Sequence, residues 1–161
     1  MKTNMKTIFS VFALLISSLL NAQITLNTTH TNNNGASSII FNVQNTNAYA
    51  IIVTEFRNYS TSATVNATQV LYRTTPISSG SPWNGGVVGA GQNGWILVGS
   101  GNTAGAVGVG TILTNTNILI PAGATYQFGF SHTGCGYMSL TSGAGVNTFS
   151  GGGVNINTGD N

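Results

Sequence analysis

TILTNTNILIPAGATYQFGFS, residues 111–131, decides the fold class of this 161-residue chain. In its second half Tyr126, Phe128 and Phe130 share one parity, while Thr125, Gln127, Gly129 and Ser131 share the other. That is the two-residue period of a strand with one buried face. In the first half Ile118 and Ile120 alternate with Asn117 and Leu119. Pro121-Ala122-Gly123-Ala124 lies between them, a proline with φ preset for a turn and a glycine able to take positive φ two positions on. The stretch predicts a hairpin, two antiparallel strands joined by a tight turn.

Outward from it the same grammar repeats. Residues 38–44 (SIIFNVQ) place Ile39, Phe41 and Val43 opposite Ile40 and Asn42, and Asn45-Thr46-Asn47 turns the chain. In residues 51–59 (IIVTEFRNY), Ile51 and Val53 share a face but Phe56 has the other parity. A β-bulge near Thr54-Glu55 would bring all three inward; without one, Ile52 and Phe56 would face the core and Ile51 and Val53 would pack elsewhere. Residues 68–74 set Val70 and Tyr72 against Gln69, Leu71 and Arg73. Strand character resumes at residues 95–98, and residues 99–110 read as a glycine-weakened bent or edge strand. Short strands are also expected at residues 23–26, 137–140, 146–149 and 154–157.

No stretch after residue 22 sustains a helical period. About eight to ten short strands with turn signals between them predict an all-β fold, a single antiparallel β-sandwich or jelly-roll-like domain. A β-solenoid would need a fixed repeat, and none is present.

The chain opens with Lys2 and Lys6 before an apolar run at residues 8–20 and then Asn21-Ala22-Gln23. This is the pattern of a secretory signal peptide, with residues 1–22 as leader and residues 23–161 as the exported domain. The run is too short and too broken by Ser17-Ser18 for a membrane span, which needs about 20 apolar residues. The expected location is therefore secreted or cell surface, with no span in the mature chain. Both lysines leave with the leader, and Arg57, Arg73, Glu55 and Asp160 remain as the charged side chains. A neutral mature chain offers no basic stripe to nucleic acid and no polybasic patch to a membrane. Low charge also favours self-association.

Two acids in the whole chain bear most heavily on function. Paired-carboxylate hydrolysis needs two side by side, and a Ser-His-Asp arrangement would have to recruit one of the same pair. His132 and Cys135 form H-x-x-C, but the other histidine, His30, is distant, which leaves a zinc site short of donors. Cys135 is the single cysteine, so no internal disulfide forms. Residues 89–94 match G-x-G-x-x-G without the strand before and helix after that dinucleotide binding requires. Asn27, Asn58 and Asn66 open N-glycosylation triplets that this Asn- and Thr-rich composition produces by chance. No enzyme, cofactor or metal is expected. Candidate ligand-binding residues are aromatic: Trp83, in the long Gly/Ser/Asn-rich loop at residues 76–94, and Tyr137.

The order SIIFNVQN, IIVTEFRN, QVLYRTTPISSG, GWILVGSG, ILIPAGATYQFGF and NTFSGGGVNI resembles secreted β-sandwich modules in multidomain surface proteins of Bacteroidota. The resemblance implies a non-catalytic sandwich that accompanies adhesion or sorting modules and leaves by the type IX route. Such modules continue past the GGGVNI-like segment into a closing strand, whereas this sequence stops at Asn161, which implies either a truncated sequence or a module without that strand. The sequence thus points to a structural and adhesive surface module. A glycan-binding module and a self-assembling fibre subunit are its rivals, and neither glycan nor protein partner is named by it.

Overall fold

The computed structural model describes residues 23–28, 38–60, 63–76, 94–103, 105–132 and 147–158. Among them are eight strands and no α-helix: β1 (Ser38–Asn45), β2 (Ile51–Ser60), β3 (Ala67–Arg73), β4 (Ile96–Asn102), β5 (Gly108–Ile120), β6 (Thr125–His132), β7 (Asn147–Gly151) and β8 (Val154–Thr158). They form a six-stranded antiparallel sheet in the order β4-β3-β6-β1-β8-β7 and a two-stranded ribbon, β2-β5. The expected all-β sandwich is the observed architecture.

Phenylalanines join the two layers. Phe41, Phe128 and Phe130 rise from the inner face of the large sheet, and Phe56 descends from the ribbon to meet Phe128 at 5.2 Å and Phe130 at 5.7 Å between ring centroids. Phe41 stacks on Phe128 and meets Phe130 edge to face. Val43, Val70, Ile112, Ile118, Ile120 and Val154 complete this core. Burying an aromatic side chain of this kind is worth about 2–3 kcal/mol before any ring-ring contribution.

The parity conflict in residues 51–59 is resolved by an irregular ladder. Val53 pairs with Ile118 and Glu55 with Thr114, so three β5 residues oppose the single Thr54. The extra length lies in β5, where Asn115 and Asn117 take φ of 56° and 50° and the Thr116 hydroxyl donates to the Val53 carbonyl at 2.6 Å. Ile51 and Val53 pack on the core, Phe56 is buried, and Ile52 is exposed. A second shift between Phe56 and Arg57 skips Ile112, which also turns inward. The bulge expected near Thr54-Glu55 is present, and the regular alternative that put Ile52 in the core is not.

The hairpin expectation fails. The turn forms as its residues dictate, with Gly123 at φ 69° and the Ala124 amide donating to the Pro121 carbonyl at 3.2 Å. Yet β5 pairs with β2, and β6 pairs with β3 and β1. The turn is an arch between layers. Pairing the two arms would have put their apolar faces side by side on one sheet; splaying them sets Ile112, Ile118 and Ile120 across the core from Phe128 and Phe130. Residues 23–28 form no strand either. Leu26 packs by its side chain on the core and lies near Gly151, with Ile24 near Gly152. The strand expected at residues 137–140 lies outside the described residues.

Two contacts hold the arrangement in register. Asn45, fully buried at the end of β1, donates from Nδ2 to the carbonyls of Tyr49 (2.8 Å), Pro121 (3.0 Å) and Ile120 (3.1 Å). Its Oδ1 accepts from the Asn47 backbone amide at 3.0 Å and from Asn47 Nδ2 at 3.1 Å, and its own amide donates to Ala124. At the opposite corner Gly101 of the edge strand β4 lies so close to the Ile112 carbonyl that no Cβ would fit. Glycine there lets β4 and β5 cross at backbone contact. The single bent or edge strand expected at residues 99–110 is not formed: residues 99–102 end the edge strand β4 and residues 108–110 begin β5.

Asn45→Ala should cost about 3 kcal/mol or more in denaturant unfolding, because it strands several buried carbonyls at once. Leu119→Ala, on an exposed ribbon position, should stay within about 0.5 kcal/mol. Gly101→Ala should cost about 2 kcal/mol or more, since backbone rather than a flexible side chain must move.

Candidate functional site

The ladders place the outward side chains of the large sheet in straight rows. Arg73 pairs with Gln127, Gln127 with Asn42, Asn42 with Asn157, and Asn157 with Thr148. One unbroken polar row therefore crosses β3, β6, β1, β8 and β7, spanning about 19 Å at normal strand spacing. A second row, Thr125, Gln44, Asn155 and Ser150, runs beside it. At the β7 side these groups bond to one another: Ser150 Oγ donates to Asn155 Oδ1 at 2.8 Å, Asn155 Nδ2 to Gln44 Oε1 at 3.0 Å, and Thr148 Oγ1 to Asn157 Oδ1 at 2.8 Å.

The face changes character along the row. Thr148 and Ser150 are exposed, Asn155 and Asn157 are half-buried, and Asn42 and Gln127 are buried. Beside Gln127, Leu71 and Trp95 form a second apolar cluster with Ile40 against it. Gly129 lies between Leu71 and Ile40 in the ladder, and its missing side chain leaves room for that cluster. Strand β6 is thus buried on both faces, where its alternation predicted a solvent-facing polar side. Gln127 is fully buried and Ser131 is 1% exposed.

Arg73 closes the row. Its Nε donates to the Thr75 carbonyl at 2.7 Å, and its guanidinium carbon sits 5.8 Å from the Trp95 ring centroid. Its Nη1 is shielded from water without a hydrogen-bond partner, and so is Asn42 Oδ1. The other described arginine, Arg57, is paired with Glu55 at 2.6 Å on the ribbon, and Glu55 also accepts from Thr111 at 2.8 Å. Those bonds, that from Arg57 first, hold the Glu55 carboxyl below its ordinary value of 4.5.

Trp83, Tyr137, Cys135 and His30 lie outside the described residues. His132 ends β6 opposite Thr68 in the ladder. Among the described residues no group of three His, Cys, Asp or Glu side chains could hold a metal, and no helix is long and apolar enough to cross a membrane. The row itself was missed in the sequence. Each strand's polar parity was readable there, but the pairing that lines five strands up is not local. Comparison of the chain with protein-family models, with curated proteins and with solved structures finds no match.

Because the folded carboxyl of Glu55 titrates below its unfolded value, the stability it contributes is present above about pH 4.5 and is lost as pH falls through the lower folded value. The thermal midpoint of the wild type should fall on acidification below about pH 4.5 by slightly more than that of Glu55→Gln. The difference should shrink in high salt, since the pair is exposed.

Proposed function

We propose that this protein is an exported, non-catalytic structural and adhesive β-sandwich module of the cell surface. The observation that carries the reading is the pair of polar rows on the outward face of the six-stranded sheet. Amide and hydroxyl side chains, cross-bonded in place at β7 and β8, present donors and acceptors at fixed sheet spacing at an end of the face without charged side chains. Such a face suits repeated weak contacts with a hydroxyl- or amide-rich surface, because its groups are already ordered and lose little entropy on contact. The leader pattern supports export, and the scarcity of acids supports a role without general acid-base chemistry.

The test is adhesion of particles coated with the exported chain to cell-wall or host-matrix surfaces. Replacing Thr148, Ser150 and Asn155 together by alanine should lower adhesion at least about fivefold, equivalent to roughly 1 kcal/mol, with little change in unfolding midpoint. Thr54→Ala, on an exposed ribbon position, should leave adhesion unchanged. Equal adhesion of the triple variant and wild type would remove the proposal.

Self-association is a second reading, favoured by β7. Among the described residues it ends the large sheet, and it carries neither charge nor proline in NTFSG. Natural edges are commonly blunted by those residues. A molecular mass that stays monomeric in light scattering at millimolar concentration would remove this reading.

A further inference from the structure

The outward face of the β2-β5 ribbon, on the layer opposite the polar rows, carries two apolar cross-strand pairs with an ion pair between them. Ile52 pairs with Leu119, and Tyr59 with Val109. Ile52, Leu119 and Val109 are 58%, 53% and 60% exposed, so this face is open. Between the two pairs lie Arg57, opposite Thr111, and Glu55, with side chains 50% and 27% accessible. These charged groups are only half used. Glu55 Oε1 accepts from both Arg57 Nε and Thr111 Oγ1. Among the described residues, Glu55 Oε2 and the two terminal nitrogens of Arg57 bond to nothing.

We propose that this face pairs with the same face of a second copy of the chain, about a two-fold axis that lies in the interface and crosses β2 between Glu55 and Arg57. That operation lays β2 on the second copy's β2 with its direction reversed. Glu55 then meets the second copy's Arg57, and Arg57 the second copy's Glu55, so two unused guanidinium forks find two unused carboxylate oxygens. The same rotation lays Ile52 and Leu119 over the second copy's Tyr59 and Val109, and the reverse. A face whose positive and negative groups exchange under a two-fold is complementary to itself. A wholly anionic partner would meet the free Glu55 oxygen as like charge, and a wholly apolar one would bury free polar atoms unpaired. The face is only two strands wide, which keeps the buried area below about 1,200 Å² in total, the class of weak and transient contacts. The monomer therefore prevails in dilute solution, and the dimer forms where copies are crowded. The inference goes beyond the adhesive reading and uses the opposite layer, so either can fail without the other.

The test is sedimentation equilibrium of the exported chain up to millimolar concentration. The wild type should pass from monomer to dimer and stop there, since a two-fold interface closes on itself. Arg57→Glu makes the centre of the face wholly acidic, and Glu55→Arg makes it wholly basic. Each variant alone should dimerise at least about fivefold more weakly, and an equimolar mixture of the two should regain the dimer to within about threefold of wild type. NMR of the wild type on dilution, with shifts centred on Ile52, Glu55, Arg57, Val109 and Leu119, gives the same answer even if a variant fails to fold. A monomer at millimolar concentration, growth past two copies, or shifts centred on β7 would each overturn the proposal. So would folded variants that dimerise like the wild type, or a mixture of them that does not regain the dimer.

Discussion

One buried side-chain amide ties the molecule together. Asn45 joins three chain reversals: the connection from β1 to β2 through Tyr49, the arch from β5 to β6 through Ile120, Pro121 and Ala124, and, by way of Asn47, the turn from β7 to β8. Asn47 Nδ2 reaches the Gly152 and Gly153 carbonyls, and the Thr46 amide and hydroxyl both reach Gly153. Loop backbone in a two-layer fold must find partners for its carbonyls wherever it runs under another loop. Here one asparagine and its two neighbours in sequence meet that need for both sheets at one end of the sandwich. At the other end the layers meet at backbone distance, by the approach of Gly101 to the Ile112 carbonyl.

Much of this was legible in the chain. Alternation in residues 38–44, 68–74 and 125–131 identified which side chains face the core, and the conflict between Val53 and Phe56 located the ladder irregularity. Local pattern stopped at pairing. Pro121-Ala122-Gly123-Ala124 is sound turn chemistry, but the same four residues can close a hairpin or bridge two layers, and nothing within them decides which. What decides is Phe128 and Phe130 needing the ribbon's isoleucines opposite rather than beside them, a requirement spread over distant strands. The ladder irregularity shows the same limit from another side: its place was readable in β2, while its extra residues lie in β5, more than fifty positions later.

The candidate face was the least legible part, for the same reason. Thr148, Asn157, Asn42, Gln127 and Arg73 are scattered from position 42 to position 157, and none looks unusual in a chain so rich in asparagine and threonine. Aromatic residues in loops attracted attention because single side chains are visible in a sequence; rows are not. The second apolar cluster was hidden likewise. Leu71 and Ile40 sat on the supposedly polar parity of their strands, and only with Gly129 between them and Trp95 against Leu71 do they form a cluster.

The hydrogen bonds at the β7 side also have a direction. Ser150 gives its proton to Asn155, and Asn155 gives its amide proton to Gln44, so the chain of donors runs one way, from the sheet's edge toward its centre. Neither amide can rotate by half a turn without forcing the other to do the same. The surface is therefore polar in the vectorial sense as well as the chemical one.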